Sequence, residues 1–405
     1  MIADVLLVQM KGAKYQAKLF LLHWVMKSYE TPLKEGRVKN LASIFSVSER
    51  VVRDSLEYLV DHEYLIKVAY KDCNGRRQNT FELGDLTSEV ISKESSIQFT
   101  PYQIDIVEKV LSSIGDNLVV TDKVEAVTTN NGLFDLKDDC KLVLAVLLLL
   151  GGSIGVVKGH GLADLSKFVC MSVEQIRPRL NELVKKGYIK SVVTGITGKI
   201  LFGAKPSIYF LDLKHESFGT SKAPGPVIDI DPFINDSLSR GEAAKLFQHK
   251  EVENWPLAGK NIFNVEEKKK LLAFFKTPTM REVRYLQAYI DELAAYILSS
   301  YWSGLEEPLL PDEEIYLKIE NDVLPAKFLD EKSQMDFHTI EQKRLFSRLI
   351  FEVSLGIAKE VKSGLAPNSK HDFVNMDIVI ERVFEKAQDP RFHLDRCSLI
   401  CFLKE

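Results

Sequence analysis

The chain has 405 residues, of which 45% are hydrophobic and 27% charged, so it is long enough for two or three domains with ample cores. That composition excludes a low-complexity or fibrous chain. The net charge of −4 excludes a uniformly basic nucleic-acid binder and directs attention to how charge is distributed.

Met1 to Met10 is apolar and reads as a strand or a lead-in helix, with no basic leader and cleavage site to suggest a signal peptide. Tyr15 to Tyr29 reads as a first core helix, with Leu19, Leu22, Val25 and Met26 as its buried stripe. A loop follows from Thr31 to Gly36. Leu41, Ile44 and Phe45 then mark one helix stripe, and Val52, Leu56, Leu59 and Val60 a second. Between the stripes stands Ser48, whose hydroxyl suits an N-cap. Arg50, Arg53 and Ser55 fall on or near the open side of this second helix, with Glu49 and Asp54 as further exposed candidates. Tyr64-Leu65-Ile66 starts a strand. Asp72-Cys73-Asn74-Gly75 carries a hairpin turn, and Asn79 to Leu83 returns.

The pattern occurs twice. With a shift of about 124, Leu165 to Lys190 lies over Leu41 to Ile66 without a gap. Ser172 then matches Ser48, Arg177 matches Arg53 and Leu180 matches Leu56. Leu183, Val184 and Tyr188 match Leu59, Val60 and Tyr64.

Residues 91–132 join the repeats. Thr100-Pro101 starts a helix there, and Thr128 to Gly132 reads as a flexible loop. The first helix of the second repeat runs from Asp135 to Leu150. Its apolar run is far shorter than the ~20 residues that span a bilayer, so no membrane association is expected. Gly151 to Gly161 lacks a phosphate-loop ending and is expected to be a mobile connector. Pro178 falls inside the second helix of the pair, where it should delay the helix start or kink it. Gly195 to Gly198 turns the second hairpin, which Lys199 and Lys205 decorate.

Residues 217–236 hold Pro224, Gly225, Pro226 and Pro232 and read as a linker. Residues 237–405 are expected to form an acidic α-helical domain, with helices over Glu266–Phe275, Met280–Trp302 and Ile340–Val361. Met376 to Ala387 follows, and Phe392 to Leu403 ends the chain as helix or strand. His393, Cys397 and Cys401 would stack on a helix and hold zinc if a fourth ligand such as His371 joined them, but their apolar neighbours favour buried thiols. The five cysteines, an odd number without framework spacing, fit a reducing, cytoplasmic setting. No catalytic constellation, metal or cofactor is read, and the protein is not expected to be an enzyme.

Charge supports a division of labour. Residues 1–90 carry 13 Lys+Arg against 12 Asp+Glu, and residues 133–216 carry 12 against 8, leaving the rest strongly acidic. Helix, turn, helix and an Arg- or Lys-tipped hairpin together resemble the winged helix-turn-helix superfamily, in places its bacterial GntR-like and MarR-like regulators. The resemblance implies a mainly α fold with small β-hairpins (α+β). Two tandem winged-helix domains, over 1–90 and 133–216, would precede the helical domain. It also implies double-stranded DNA as partner, with the second helix of each pair in the major groove. Carried over, the DNA contacts would be Ser48, Arg50, Arg53, Arg76 and Arg77 in the first repeat. In the second they would be Ser172, Gln175, Arg177, Arg179, Lys199 and Lys205. Arg would read guanine and Gln adenine, while the hairpin cations would touch phosphate. The C-terminal domain would supply a homodimer or protein contact. A transcriptional regulator, a plasmid-type replication or partition factor, and a winged-helix protein scaffold without DNA binding are the competing functions.

Overall fold

The computed structural model describes residues 2–30, 36–71, 77–92, 100–114, 135–197, 201–219, 227–230, 243, 246, 263–272, 275, 279–305, 313–323, 337–365, 373–384 and 394–403. It divides into two compact units, residues 1–190 with 209–223, and residues 191–208 with 224–405. Among the described residues the structure is mainly helical, with small antiparallel sheets. No described helix is long and apolar enough to cross a membrane.

The first unit opens with α1 (Ile2–Leu7) and α2 (Tyr15–Glu30). α2 is buried nearly all round. Its Phe20 meets Phe45 edge-on at 4.8 Å, and Trp24 stands perpendicular to Phe81 at 6.0 Å. Then come α3 (Val38–Ile44), α4 (Glu49–Asp61) and the antiparallel hairpin β1 (Leu65–Lys71) and β2 (Arg77–Leu83), in register from Leu65↔Leu83 to Lys71↔Arg77. α5 (Asp85–Ser92) and α6 (Pro101–Ser112) follow. α6 starts at Thr100-Pro101 as expected, and Thr100 caps it in a capping box with Gln103.

The second set is α7 (Asp138–Leu150), β3 (Val156–Val157), α8 (Leu162–Val169), α9 (Val173–Lys185), β4 (Ile189–Val193) and β5 (Ile208–Leu211). The connector expected over Gly151–Gly161 is ordered around β3. Gly152 and Gly155 adopt positive φ, and β3 pairs with β5 through Val156↔Phe210. Gly155 must stay glycine, because a Cβ there would meet Leu213 at 2.9 Å.

The two sets coincide in backbone detail. α8 starts 124 residues after α3, and α9 starts 124 after α4. Ser46 and Cys170, 124 apart, are both left-handed, with φ of 51° and 54°. The turns they form close through the same bonds, Val47 N–H to Ala42 O and Met171 N–H to Ser166 O. Glu63 (φ 59°) and Gly187 (φ 84°) repeat the correspondence after the second helix. The buried stripes agree as well. Leu41, Val52, Leu56 and Leu59 are matched by Leu165, Ile176, Leu180 and Leu183, all buried. Ile44 and Val184, expected on these stripes, are instead exposed at 36% and 41%, and Ser55, expected on or near the open side of α4, is buried beside Leu56 and Leu59. A buried lysine also recurs. Lys18 donates to Val8 O just past α1, and Lys141 donates to Ser113 O just past α6, each at 2.5 Å. A cation at a helix C-terminus satisfies an orphan carbonyl and the dipole together.

The second unit corrects the expectation of an α-helical C-terminal domain, and its last segment, expected as helix or strand, is a strand. β7 (Met376–Phe384) and β8 (Leu394–Leu403) form an antiparallel pair, and β6 (Val227–Ile230) adds to β8, giving the order β6-β8-β7. β6 thus lies within the stretch expected to be a linker. The helices are α10 (Val265–Leu272), α11 (Met280–Tyr301), α12 (Glu313–Val323) and α13 (Phe337–Leu365). α11 is capped by Thr279 with Glu282 and packs on α13 and β7. Its Gln287 is buried, accepting from Ala243 N–H and donating to Asp291. Cys397 and Cys401 lie on β8, so the helical stacking assumed for a zinc site does not arise. His371 and His393 lie outside the described residues.

Candidate nucleic-acid interface

α4 begins at Ser48, whose hydroxyl accepts from Val51 N–H at 3.3 Å. From this cap the helix exposes Glu49, Arg50, Arg53, Asp54 and Glu57 and buries Val52, Leu56 and Leu59. Arg53 is 68% exposed and pairs with Glu49 one turn back at 3.3 Å. Such an exposed pair is worth only a few tenths of a kcal/mol, so Arg53 can be drawn away by a stronger anion. With Asp61 at its end, α4 presents more acid than base.

α9 begins at Ser172, which accepts from Gln175 N–H at 3.3 Å, while Gln175 Oε1 accepts from Ser172 N–H at 3.0 Å. Ser172 and Gln175 therefore close a capping box, and a bidentate contact by Gln175 to adenine would require that box to open. Glu174, exposed in the first turn, is held below the usual carboxylate range by hydrogen bonds from its own amide and from Ser172. Arg177 and Asn181 are exposed. Pro178 sits on the exposed face and neither delays nor ends the helix, which runs unbroken to Lys185. The carbonyl of Glu174 that loses its helical donor there faces a solvated surface.

Arg179 differs from its neighbour Arg177. Its Nε and Nη2 both donate to Asp139 Oδ2, at 2.9 and 2.5 Å, and Nη1 donates to Gln175 O. Asp139 lies in the first turn of α7, 10% exposed. Arg179 thus ties α9 to α7 and is not aimed at solvent, which removes it from the set of base readers expected on this helix.

The hairpins are also more constrained than expected. Arg77 opens β2 opposite Lys71, and Arg76 and Lys199 lie outside the described residues. Residues 191–208, the second hairpin's tip, belong to the second unit. There Phe202 is buried edge-on against Tyr285 (5.2 Å) and Tyr289 (5.6 Å), Lys205 pairs with Asp322 at 3.6 Å, and Ser191 donates to Glu381. Burial pushes the Tyr285 hydroxyl up to about 12. Lys205, expected to touch phosphate, is instead engaged with a carboxylate.

Sequence reasoning did not foresee the part played by residues 9–17, which connect α1 to α2. Gly12, at φ 81°, allows the turn. Tyr58 of α4 donates to Lys11 O at 2.9 Å, and the Cys170 thiol approaches Met10 O at 3.8 Å. The segment is thus held by both repeats and borders two clefts. One, of about 830 Å³, is lined by Lys11, Lys14, Lys167, Cys170, Ser172 and Gln175 among others. The other, of about 540 Å³, is lined by Lys14 and Arg50 but also by Asp54, Glu57 and Asp61. Burial lowers Lys18 to about 8 and raises the thiol of Cys170, which lines the first cleft. No family of proteins, curated protein or solved structure matches this chain.

Proposed function

We propose that each repeat is a winged helix-turn-helix and that the protein is a sequence-specific transcriptional regulator binding double-stranded DNA. α9 is its principal reading helix and α4 a secondary one. The observation that carries this is the paired helix geometry at a 124-residue offset, with the same left-handed turn and the same serine cap delivering an exposed arginine each time. A capped, rigid second helix with a polar outer face has the shape and the donors the major groove requires. α9 takes precedence because α4 exposes more carboxylates than cations, and phosphate repels such a face. The second unit then serves dimerisation or a protein contact.

The test is a selection from randomised duplexes with the full chain, followed by anisotropy titrations across salt concentrations. A preferred site should emerge, with affinity falling steeply as salt rises. Arg177→Ala should weaken that site roughly 5- to 150-fold while leaving non-specific binding nearly intact, the range expected for one base contact worth about 1–3 kcal/mol. Absence of duplex binding would defeat the proposal. The acidic face of α4 favours one alternative, a docking surface for a basic protein. In that case Arg53→Ala/Arg177→Ala would bind its target like the parent.

A further inference from the structure

We propose that the cleft between residues 9–16 and the start of α9 seats the phosphate backbone of the duplex read by α9, with Lys11 and Lys14 as its clamp. This rests on the DNA-binding function proposed above and adds a backbone contact outside the hairpins. In such modules the hairpin is the usual backbone contact. Here Lys205 pairs with Asp322 and Phe202 is buried against two tyrosines, so these two residues of the hairpin are engaged within the second unit.

Charge decides which cleft takes the anion. The described residues lining the 830 Å³ cleft include Lys11, Lys14 and Lys167 and not one carboxylate. The neighbouring 540 Å³ cleft sets Lys14 and Arg50 against three carboxylates, Asp54, Glu57 and Asp61. The amides at the start of α9 add little, since the capping box already occupies Ser172 and Gln175. Attraction must therefore come from the lysines. Lys167 lies 3.7 Å from Asp164 in an exposed pair that a phosphate would compete with, so Lys11 and Lys14 are the principal cations and Lys167 an auxiliary one.

Position supports the assignment. The turn at Gly12 is held by Tyr58, which donates to Lys11 O at 2.9 Å, and lies against Cys170, whose thiol approaches Met10 O at 3.8 Å. The backbone bearing both lysines is thereby held at a set place beside Ser172. Phosphate contacts from a rigid segment set the register of a reading helix without specifying sequence. The first repeat thus lends its lead-in loop to the second.

The experiment measures duplex affinity against salt for the full chain, for Lys11→Ala/Lys14→Ala and for Lys109→Ala, a lysine of the same unit that does not line the cleft. Each phosphate contact contributes about 0.9 to the slope of log affinity against log salt. The double variant should lower the slope by about 2 and weaken all sequences alike, roughly fiftyfold at 0.1 M salt. Lys109→Ala should leave the slope unchanged, and Arg177→Ala should lose sequence preference while keeping the slope. Inorganic phosphate at constant ionic strength should not compete. An unchanged slope in the double variant, with Arg177→Ala still impaired, would overturn the clamp and leave the reading helix standing. Competition by inorganic phosphate that vanishes in the double variant would make the cleft a small-anion site and also overturn it. Failure of the parent chain to bind any duplex would remove both proposals.

Discussion

Arg177 and Arg179 are two residues apart on one helix, yet their substitution should have opposite consequences. Arg179→Ala removes three hydrogen bonds, two of them to Asp139 Oδ2. Asp139, 10% exposed in the intact pair, loses its partner, and its other oxygen, Oδ1, is already buried without a hydrogen-bond partner. Breaking a fully buried pair costs about 3–5 kcal/mol. Arg179 is 28% exposed, so water screens part of this pair, and the cost falls to about 2 kcal/mol. For a body of 150–250 residues that corresponds to a drop of roughly 4–8 °C in Tm. Thermal unfolding followed by circular dichroism would measure it, and Asp139→Asn/Arg179→Ala should restore part of the loss, because no uncompensated charge then remains. Arg177→Ala should move Tm by less than about 1 °C, as exposed substitutions generally do. An unchanged Tm in Arg179→Ala, together with lost duplex affinity, would show that Arg179 reads DNA and does not tie α9 to α7.

Three further outcomes follow from the packing. Lys18 lies at about 8 against an ordinary 10.5, so the unfolded chain binds more protons between those values and stability should rise with pH across that window. The rise attributable to Lys18 is roughly 3 kcal/mol. The raised thiols and tyrosines act in the opposite direction above pH 9 in any variant that keeps them, so the stability difference between the parent and Lys18→Met in urea titrations at pH 7.5, 9 and 10 should grow with pH. A flat difference would contradict the burial of a titrating amine. Gly187→Ala should cost about 1–2 kcal/mol, because only its left-handed φ of 84° resists a Cβ and His215 lies no closer than 3.7 Å. A neutral result would mean the turn relaxes. Phe202→Ala should destabilise the protein by about 3–5 kcal/mol, far more than truncation at a solvated hairpin tip. A loss below about 1 kcal/mol would show that Phe202 is not a core residue.

The repeat was legible because its signals are local. A serine three residues before the amide it caps, apolar positions three and four apart, and a tyrosine starting each strand all survive in one dimension, and the structure reproduces them at the same offset. The left-handed turn was less visible, since Ser46 and Cys170 are not residues that advertise positive φ. Strand β7 is hidden in the sequence for a physical reason. Met376, Ile378, Val379, Ile380 and Glu381 are all buried, so β7 lacks the alternation of a half-solvated strand. A short apolar run of this kind reads equally well as helix. Arg179, Lys205 and Phe202 could not be placed from sequence either. Their partners Asp139, Asp322 and Tyr285 are 40 or more residues away, and only tertiary packing brings them together. Lys18 and Lys141 left a faint trace, a Lys-Leu pair opening the apolar part of α2 and α7.

Contact between α9 and a duplex is the step on which the proposed function stands, and site-specific photocrosslinking tests it most directly. A benzophenone amino acid placed at Asn181, exposed on α9 two residues past Arg179, should crosslink to a selected labelled duplex, and the yield should fall as salt rises. The same probe at Lys109 should give none. Equal yields at both positions, or crosslinking to protein alone, would contradict the assignment of α9 as the reading helix.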